Sequence, residues 1–335
     1  MQTRRHYSLP SVLFWTRQQI VLATGFALAV VLTYELTGWS WMRLPPVLLS
    51  LVGIAVAFFA GFKNNSSYGR LWEARKIWGA IVNASRSWGI GARDLVFAVG
   101  DPEETEALRA VHAELVHRHI AWLTALRHML RGPRTWEHPG GPDEQAVRST
   151  IREHQVDLRI ELEGLIGADE IERVTGRQNA AAQLLAEQSR RIAELRRSGH
   201  LDAFRHIHLQ ELLVELYTQQ GKAERIKNFP FPRQYASFTL YAIWIFIAML
   251  PFGLLSAFDR TGAHTHWAVI PASALVSWVF HTTEKIGDYS ENPFEGLWND
   301  IPITALSRTI EIDMREMLDE DRLPPPMEPV NDILS

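Results

Sequence analysis

The sequence predicts an all-α membrane protein: four transmembrane helices, paired as two hairpins, flanking a large cytosolic helical region. Three observations carry this. Apolar residues gather in four runs, at 20–41, 46–62, 235–255 and 266–281. Lys and Arg crowd one end of each run. The long stretch between the pairs shows helical spacing and no β alternation.

The first run is interrupted by Glu35 near its end. The second, about 17 residues or roughly 25 Å of helix, is at the short limit for a hydrocarbon core. The third is the clearest, with no charge over its length. The fourth is short and carries Pro271, which predicts a kink. Marginal spans gain from partners, so one is read with two and three with four.

Arg43 alone lies between spans one and two, and Arg260 alone between three and four. Arg4, Arg5 and Arg17 precede span one; Lys63, Arg70, Arg75 and Lys76 follow span two; Lys222, Arg225, Lys227 and Arg233 precede span three. The positive-inside bias puts both termini and the long middle in the cytoplasm of a plasma or inner membrane. Trp39, Trp41 and Trp267 then fall at the outer interface. The basic N-terminus lacks a cleavage signature, so it does not read as a removed signal peptide. These boundaries divide the chain into 1–63, 64–232, 233–283 and 284–335.

The 64–232 region reads as helices at 66–98 and 102–131, a Gly/Pro-rich loop at 132–142, and further helices to about 227. Glu104, Leu108, Val111, Leu115 and His119 follow amphipathic spacing. The 322–335 tail is Pro-rich and reads as extended, either disordered or a strap across a neighbouring subunit. The net charge of -4 offers no nucleic-acid footprint, and with no Cys in the chain there is no disulfide or thiolate site. No cofactor or metal site is expected: His206 and His208, like His117 and His119, stand two apart on different helix faces. His264 and His266 read as solvated loop residues.

The most informative segment joins an apolar, small-residue helix to one dense in Arg, Glu, Trp and Asn. Ile54, Phe58 and Phe62 stand at i, i+4 and i+8, a single apolar stripe roughly 12 Å long. On spacing alone the stripe reads first as lipid-facing or packed on span one. Around an axis shared by several copies it would become three apolar rings able to gate by dewetting. Beyond it, Tyr68, Arg70, Trp72, Glu73, Arg75, Lys76, Trp78, Asn83 and Arg86 read as a buried collar of ion pairs and amide bonds. They do not supply the base, nucleophile and charge stabiliser an enzyme would need in one place.

The run FKNNSSYGRLWEARKIWG resembles the bestrophin ion channels, whose bacterial members carry a close variant of it. Leu71 departs from the family's first Trp of a pair, and Trp72 keeps the second. GKAERIKNFPFPRQY and the pair Asn292-Pro293-Phe294 and Asn299-Asp300-Ile301-Pro302 resemble two further family segments. The resemblance covers about three quarters of the chain. It implies a homopentameric channel among membrane lipids, passively conducting chloride and other small anions, with sodium or potassium as the alternative. Ile54, Phe58 and Phe62 match the family's hydrophobic neck, and Ile207 its cytosolic aperture. Lys63 would add a ring of positive charge at the pore mouth. Animal bestrophins clasp Ca²⁺ with an acidic run after N-P-F-G; here Glu295, Gly296, Leu297 and Trp298 stand there, so Ca²⁺ independence is expected. Asn299 and Asp300 read instead as a cap for the following helix. A transporter would show repeated halves or a mid-membrane charge; a receptor would need no pore stripe.

Overall fold

The computed structural model describes residues 1–97, 105–138, 142–258 and 265–335. Ala98, Pro102, Glu104, Arg260 and His264, named above, lie outside them. Among the described residues the regular structure is helical, with three isolated β-bridges and no strand.

In chain order the helices are α1 (Leu9–Trp15), α2 (Arg17–Thr37), α3 (Pro46–Asp94), α4 (Glu106–Arg131), α5 (Pro142–Arg148), α6 (Arg152–Gln155) and α7 (Leu158–Leu162). They continue with α8 (Ala168–Thr175), α9 (Ala180–Arg197), α10 (Ala203–Asn228), α11 (Arg233–Phe258), α12 (Val269–Tyr289) and α13 (Ile303–Glu316). Side-chain caps start several of them. Thr105, Asn179 and Asp202 accept the backbone N–H three residues on, satisfying a donor that the first turn leaves bare. Gly38, at φ 63°, ends α2 in the left-handed conformation that glycine adopts without strain.

The chain forms two units. The first comprises 4–70 and 230–291, the second 1–3, 71–229 and 292–335. Helix α3 belongs to the first up to Arg70 and to the second from Leu71.

The first unit is apolar and loosely buried. Three helical stretches are long and apolar enough to cross a membrane: Arg17–Thr37, Ser40–Asp94 and Arg233–Phe258. Helix α12 has the length, but Glu284, Lys285 and Asp288 occupy its last third. Val56 and Ala60 pack on Ile243, Phe246, Ile247 and Leu250, and Val30, Val31, Met42, Leu255 and Val269 make a second cluster. Glycine sets the spacing of α3 and α11. A Cβ on Gly53 would stand 2.9 Å from the Phe246 ring, and one on Gly253 2.6 Å from Leu49, the close approach that small residues allow between membrane helices. Pro271, where a kink was expected, sits near the start of α12. Pro271 is the third residue of α12, in the first turn, where its missing N–H costs no intrahelical bond.

The second unit holds a conventional core. Trp78 and Trp88 of α3 and Leu115, Trp122, Leu123, Leu126 and Leu130 of α4 are almost wholly buried. From the amphipathic pattern read on α4, Leu108, Leu115 and His119 are buried. Two buried arginines are ion-paired, Arg118 with Glu170 and Arg127 with Glu153 and Glu161, while Arg131 donates to the Phe294 and Ile301 carbonyls. The tail is non-helical, but its end does not stand apart from its own chain. Thr3 N–H donates to Asp332 O at 2.9 Å, Leu334 N–H to Met1 O at 2.9 Å, and Ala305 N–H to Ser335 O at 2.9 Å.

Candidate functional site

In the first unit, α3 has one packed face and one bare face. Val56, Ala60 and Lys63 are 2, 3 and 2 % exposed, while Ile54, Phe58 and Phe62 are 69, 70 and 46 % exposed. At about 100° per residue these sets lie on opposite sides of the helix. The stripe therefore lies on the side of α3 opposite its packed face. The bare face is not wholly unsupported: Phe58 meets Phe59 edge-on at 5.8 Å, and Phe62 lies 5.8 Å from Tyr235.

Lys63 corrects the sequence reading. Its Nζ donates to Glu284 Oε1 at 2.6 Å and lies 3.4 Å from Asp288 Oδ1, on the packed side of α3. A buried, paired ammonium cannot form the exposed cationic ring expected at a pore mouth. Its partners, missed by sequence reasoning, sit at i and i+4 on α12. Nearby, Asn64 donates from Nδ2 to Ala60 O and Thr283 O, both at 3.0 Å. This contact needs Gly287, whose Cβ would fall 2.6 Å from the Asn64 Oδ1. Arg233 pairs with Glu291 at 2.7 Å, and Arg70 Nε donates to Glu291 O at 2.8 Å. At the other end of this unit His266 is not solvated: its Nδ1 lies 2.7 Å from Glu35 Oε1.

In the second unit, the expected buried collar is mostly exposed within one chain. Trp78 is buried with Ala74, Ile81, Ser85 and Trp88, whereas Trp72, Arg75, Lys76, Asn83 and Arg86 are exposed. Their side chains alternate with the packed ones at helical spacing, so collar and core are two faces of one helix. Glu73 pairs with Arg225, and Arg86 with Asp313 at 2.7 Å. In the first unit, Tyr68 is exposed as well, at 56 %. Ile207, on α10, is 53 % exposed, and Val214 and Tyr217 continue its exposed side at 57 and 56 %.

Asp300 is not a helix cap. Helix α13 starts beyond Pro302, which carries no side-chain cap bond. Asp300 Oδ2 instead accepts from Gly296 N–H at 2.6 Å and Leu297 N–H at 3.0 Å, closing the preceding loop. Glu295, beside it, is held by His138, Arg148 and Asn292. Burial, with Glu295 adding to it and Arg131 opposing, pushes the Asp300 carboxyl from an ordinary 3.8 up to about 7. Between those values the folded chain holds a proton that the unfolded chain has lost, so this group's contribution to stability falls as pH rises from about 4 to about 7. Asp300→Asn keeps an acceptor oxygen and carries no charge. Urea unfolding of the solubilised protein across that range is expected to show a flatter decline in the variant, and an unchanged slope would refute the assignment.

The chain's relatives bear on these faces. Residues 8–316 match the family model described as Bacterial/Fungal Bestrophin protein. A voltage-dependent anion channel-forming protein, RSc3414 of Ralstonia nicotianae, is 32% identical over 275 residues, covering 82% of this chain and 78% of the relative. Another so named, YneE of Escherichia coli K12, is 27% identical over 317 residues, covering 94% and 90%. The crystal structure of a bacterial bestrophin homolog from Klebsiella pneumoniae superposes with a TM-score of 0.74 at 23% identity, covering 91% of this chain and 98% of that one.

Proposed function

Because the chain belongs to the bacterial/fungal bestrophin family, we propose that it forms a homopentameric membrane channel that passively conducts chloride and other small anions. Ile54, Phe58 and Phe62 form its neck. The observation that carries this is the bare face of α3, apolar at those three residues and polar from Asn65 onward. In the first unit Asn65 continues the stripe's side by helical phase, and in the second unit α3 bares Trp72, Arg75, Lys76 and Asn83. A pore lining has this character: an apolar constriction opening to a wetted, charged wall. A lipid-facing side would stay apolar to the interface and then meet water.

Four spans per subunit, with both termini cytoplasmic in the inner membrane, follow from the distribution of Lys and Arg. Five copies would place α3 around the axis, with Ile207 of α10 at a second, cytosolic aperture. Anion preference rests on Arg75 and Lys76, which are exposed, rather than on Lys63. Conduction is independent of Ca²⁺, since Glu295 is held by His138, Arg148 and Asn292, Asp300 Oδ2 accepts two loop amides, and these two carboxylates fall short of the six to eight oxygens a hard cation needs. A monovalent-cation channel of the same fold is the second reading, favoured by the neutralised Lys63.

The reversal potential of the purified protein in a planar bilayer under a KCl gradient decides between them. Reversal near the chloride potential, unchanged by a Ca²⁺ chelator, is expected. Reversal near the potassium potential would overturn the ion assignment and keep the pore; intact oligomers without current would overturn both.

A further inference from the structure

Helices α2, α11 and α12 of the first unit line a cavity of about 290 Å³, open on the side where Leu22, Phe26 and Trp244 are exposed, that the pore does not use. Its walls are apolar, with Ala23 and Phe26 of α2 facing Ile247 of α11. One end is polar: Gln19 and His281 both line it. His281 is 8 % exposed, and its Nδ1 has no hydrogen-bond partner; the buried Gln19 Oε1 has none either. Buried polar atoms are paired in almost all folded proteins, so two orphans on one cavity mark a place built for a partner.

Position and size narrow that partner. Gln19 is the third residue of α2, and His281 stands three residues before the charged end of α12. The polar end therefore lies where the apolar runs give out, at interface depth, and Phe26 and Ile247 lie further in. An apolar cavity of ~150 Å³ takes up benzene, so this one has room for a single hydrocarbon chain roughly twice that size. Gln19 Oε1 asks for a donor, and His281 Nδ1, in its Nδ1–H tautomer, for an acceptor. An ester offers only acceptors, whereas a protonated carboxyl offers both.

We propose that this cavity binds a medium-chain fatty acid. Its carboxyl O–H donates to Gln19 Oε1, its carbonyl oxygen accepts from His281 Nδ1–H, and its chain lies along Phe26 and Ile247. The site goes beyond the channel reading, and its test needs no current.

The test uses the full chain in detergent micelles with ω-bromoundecanoic acid, whose bromine quenches indole fluorescence at short range. Trp244 lines the cavity, with its ring 5.6 Å from His281, and subtraction of the Trp244→Phe signal isolates its share. Saturable quenching of Trp244 is expected. Ala23→Phe, which fills the cavity, is expected to abolish it. His281→Leu, which keeps volume and removes the polar seat, is expected to weaken binding by about tenfold, the loss of one good hydrogen bond. Non-saturable quenching, or equal affinity in His281→Leu, would overturn the proposal. Equal quenching by a phospholipid brominated in its acyl chain, undisplaced by undecanoic acid, would overturn the fatty acid in favour of a bilayer lipid.

Discussion

Replacing Phe58 and Phe62 together with alanine is expected to raise single-channel conductance by about tenfold, a fall in barrier of about 1.4 kcal/mol. Both side chains lie on the bare side of α3, at 70 and 46 % exposure, with Phe62 5.8 Å from the Tyr235 ring of α11. Their removal therefore leaves no cavity in the protomer core and costs little stability there. In the proposed ring each position is repeated around the axis, and each lost Phe takes with it most of ~150–250 Å² of apolar surface. A narrow apolar constriction excludes water, and an ion must enter it partly dehydrated; widening it restores a hydrated path. Leu32→Ala, at an exposed apolar site on α2, serves as the control and is expected to leave conductance unchanged. Equal conductance in the Phe variants and the control would place the stripe against lipid. Cysteine at position 58 gives an independent answer: labelling by water-soluble thiol reagents fits a pore, and labelling only from the lipid phase does not.

What the sequence made legible was periodic and local. The 46–94 run carries no Pro beyond its first residue, so its continuity as one helix could be read directly, and the i, i+4, i+8 stripe required only helical geometry. What it hid was long-range pairing. Lys63 was visible as a charge after the stripe, but its partner Glu284 lies 221 positions away, and helical phase alone cannot tell which side of α3 meets another helix. His266 was misread for the same reason, its carboxylate being Glu35 on α2. Pro271 was read inside a span begun at 266, whereas α12 begins at Val269 and places it in the first turn. Asp300 failed differently. Its residue type and position before a helix fit a cap, yet its carboxylate turns back to the Gly296 and Leu297 amides. The collar was expected to be buried, and the protomer buries only some of its residues.

Glu284→Ala is expected to destabilise the protein by about 3–5 kcal/mol, the cost of leaving a buried charge without its partner. Lys63 is 2 % exposed, and its remaining neighbour, Asp288, is farther away at 3.4 Å and 40 % exposed. Water cannot replace the lost carboxylate at a site closed by Ala60, Asn64 and α12. The double variant Lys63→Met/Glu284→Leu removes both charges and keeps apolar volume, so it is expected to recover most of the loss, since buried pairs are frequently replaceable by packed apolar side chains. Thermal unfolding of the solubilised protein, followed as the loss of the oligomer peak on size exclusion, compares these variants, and with Lys63→Met and Glu284→Leu as the single variants it completes a double-mutant cycle. A loss under about 1 kcal/mol in Glu284→Ala would mean a solvated pair and would return Lys63 to the pore mouth. The cycle also separates structure from selectivity. Lys63 follows Phe62 directly, so in the proposed channel its bond to α12 would fix the foot of the neck without presenting charge to the ion. The double variant should therefore keep the wild-type reversal potential, while Arg75→Gln/Lys76→Gln shifts it toward the cation potential. Should the double variant alone shift it, the charge that selects the ion is Lys63 after all, and the bare face of α3 contributes only the constriction.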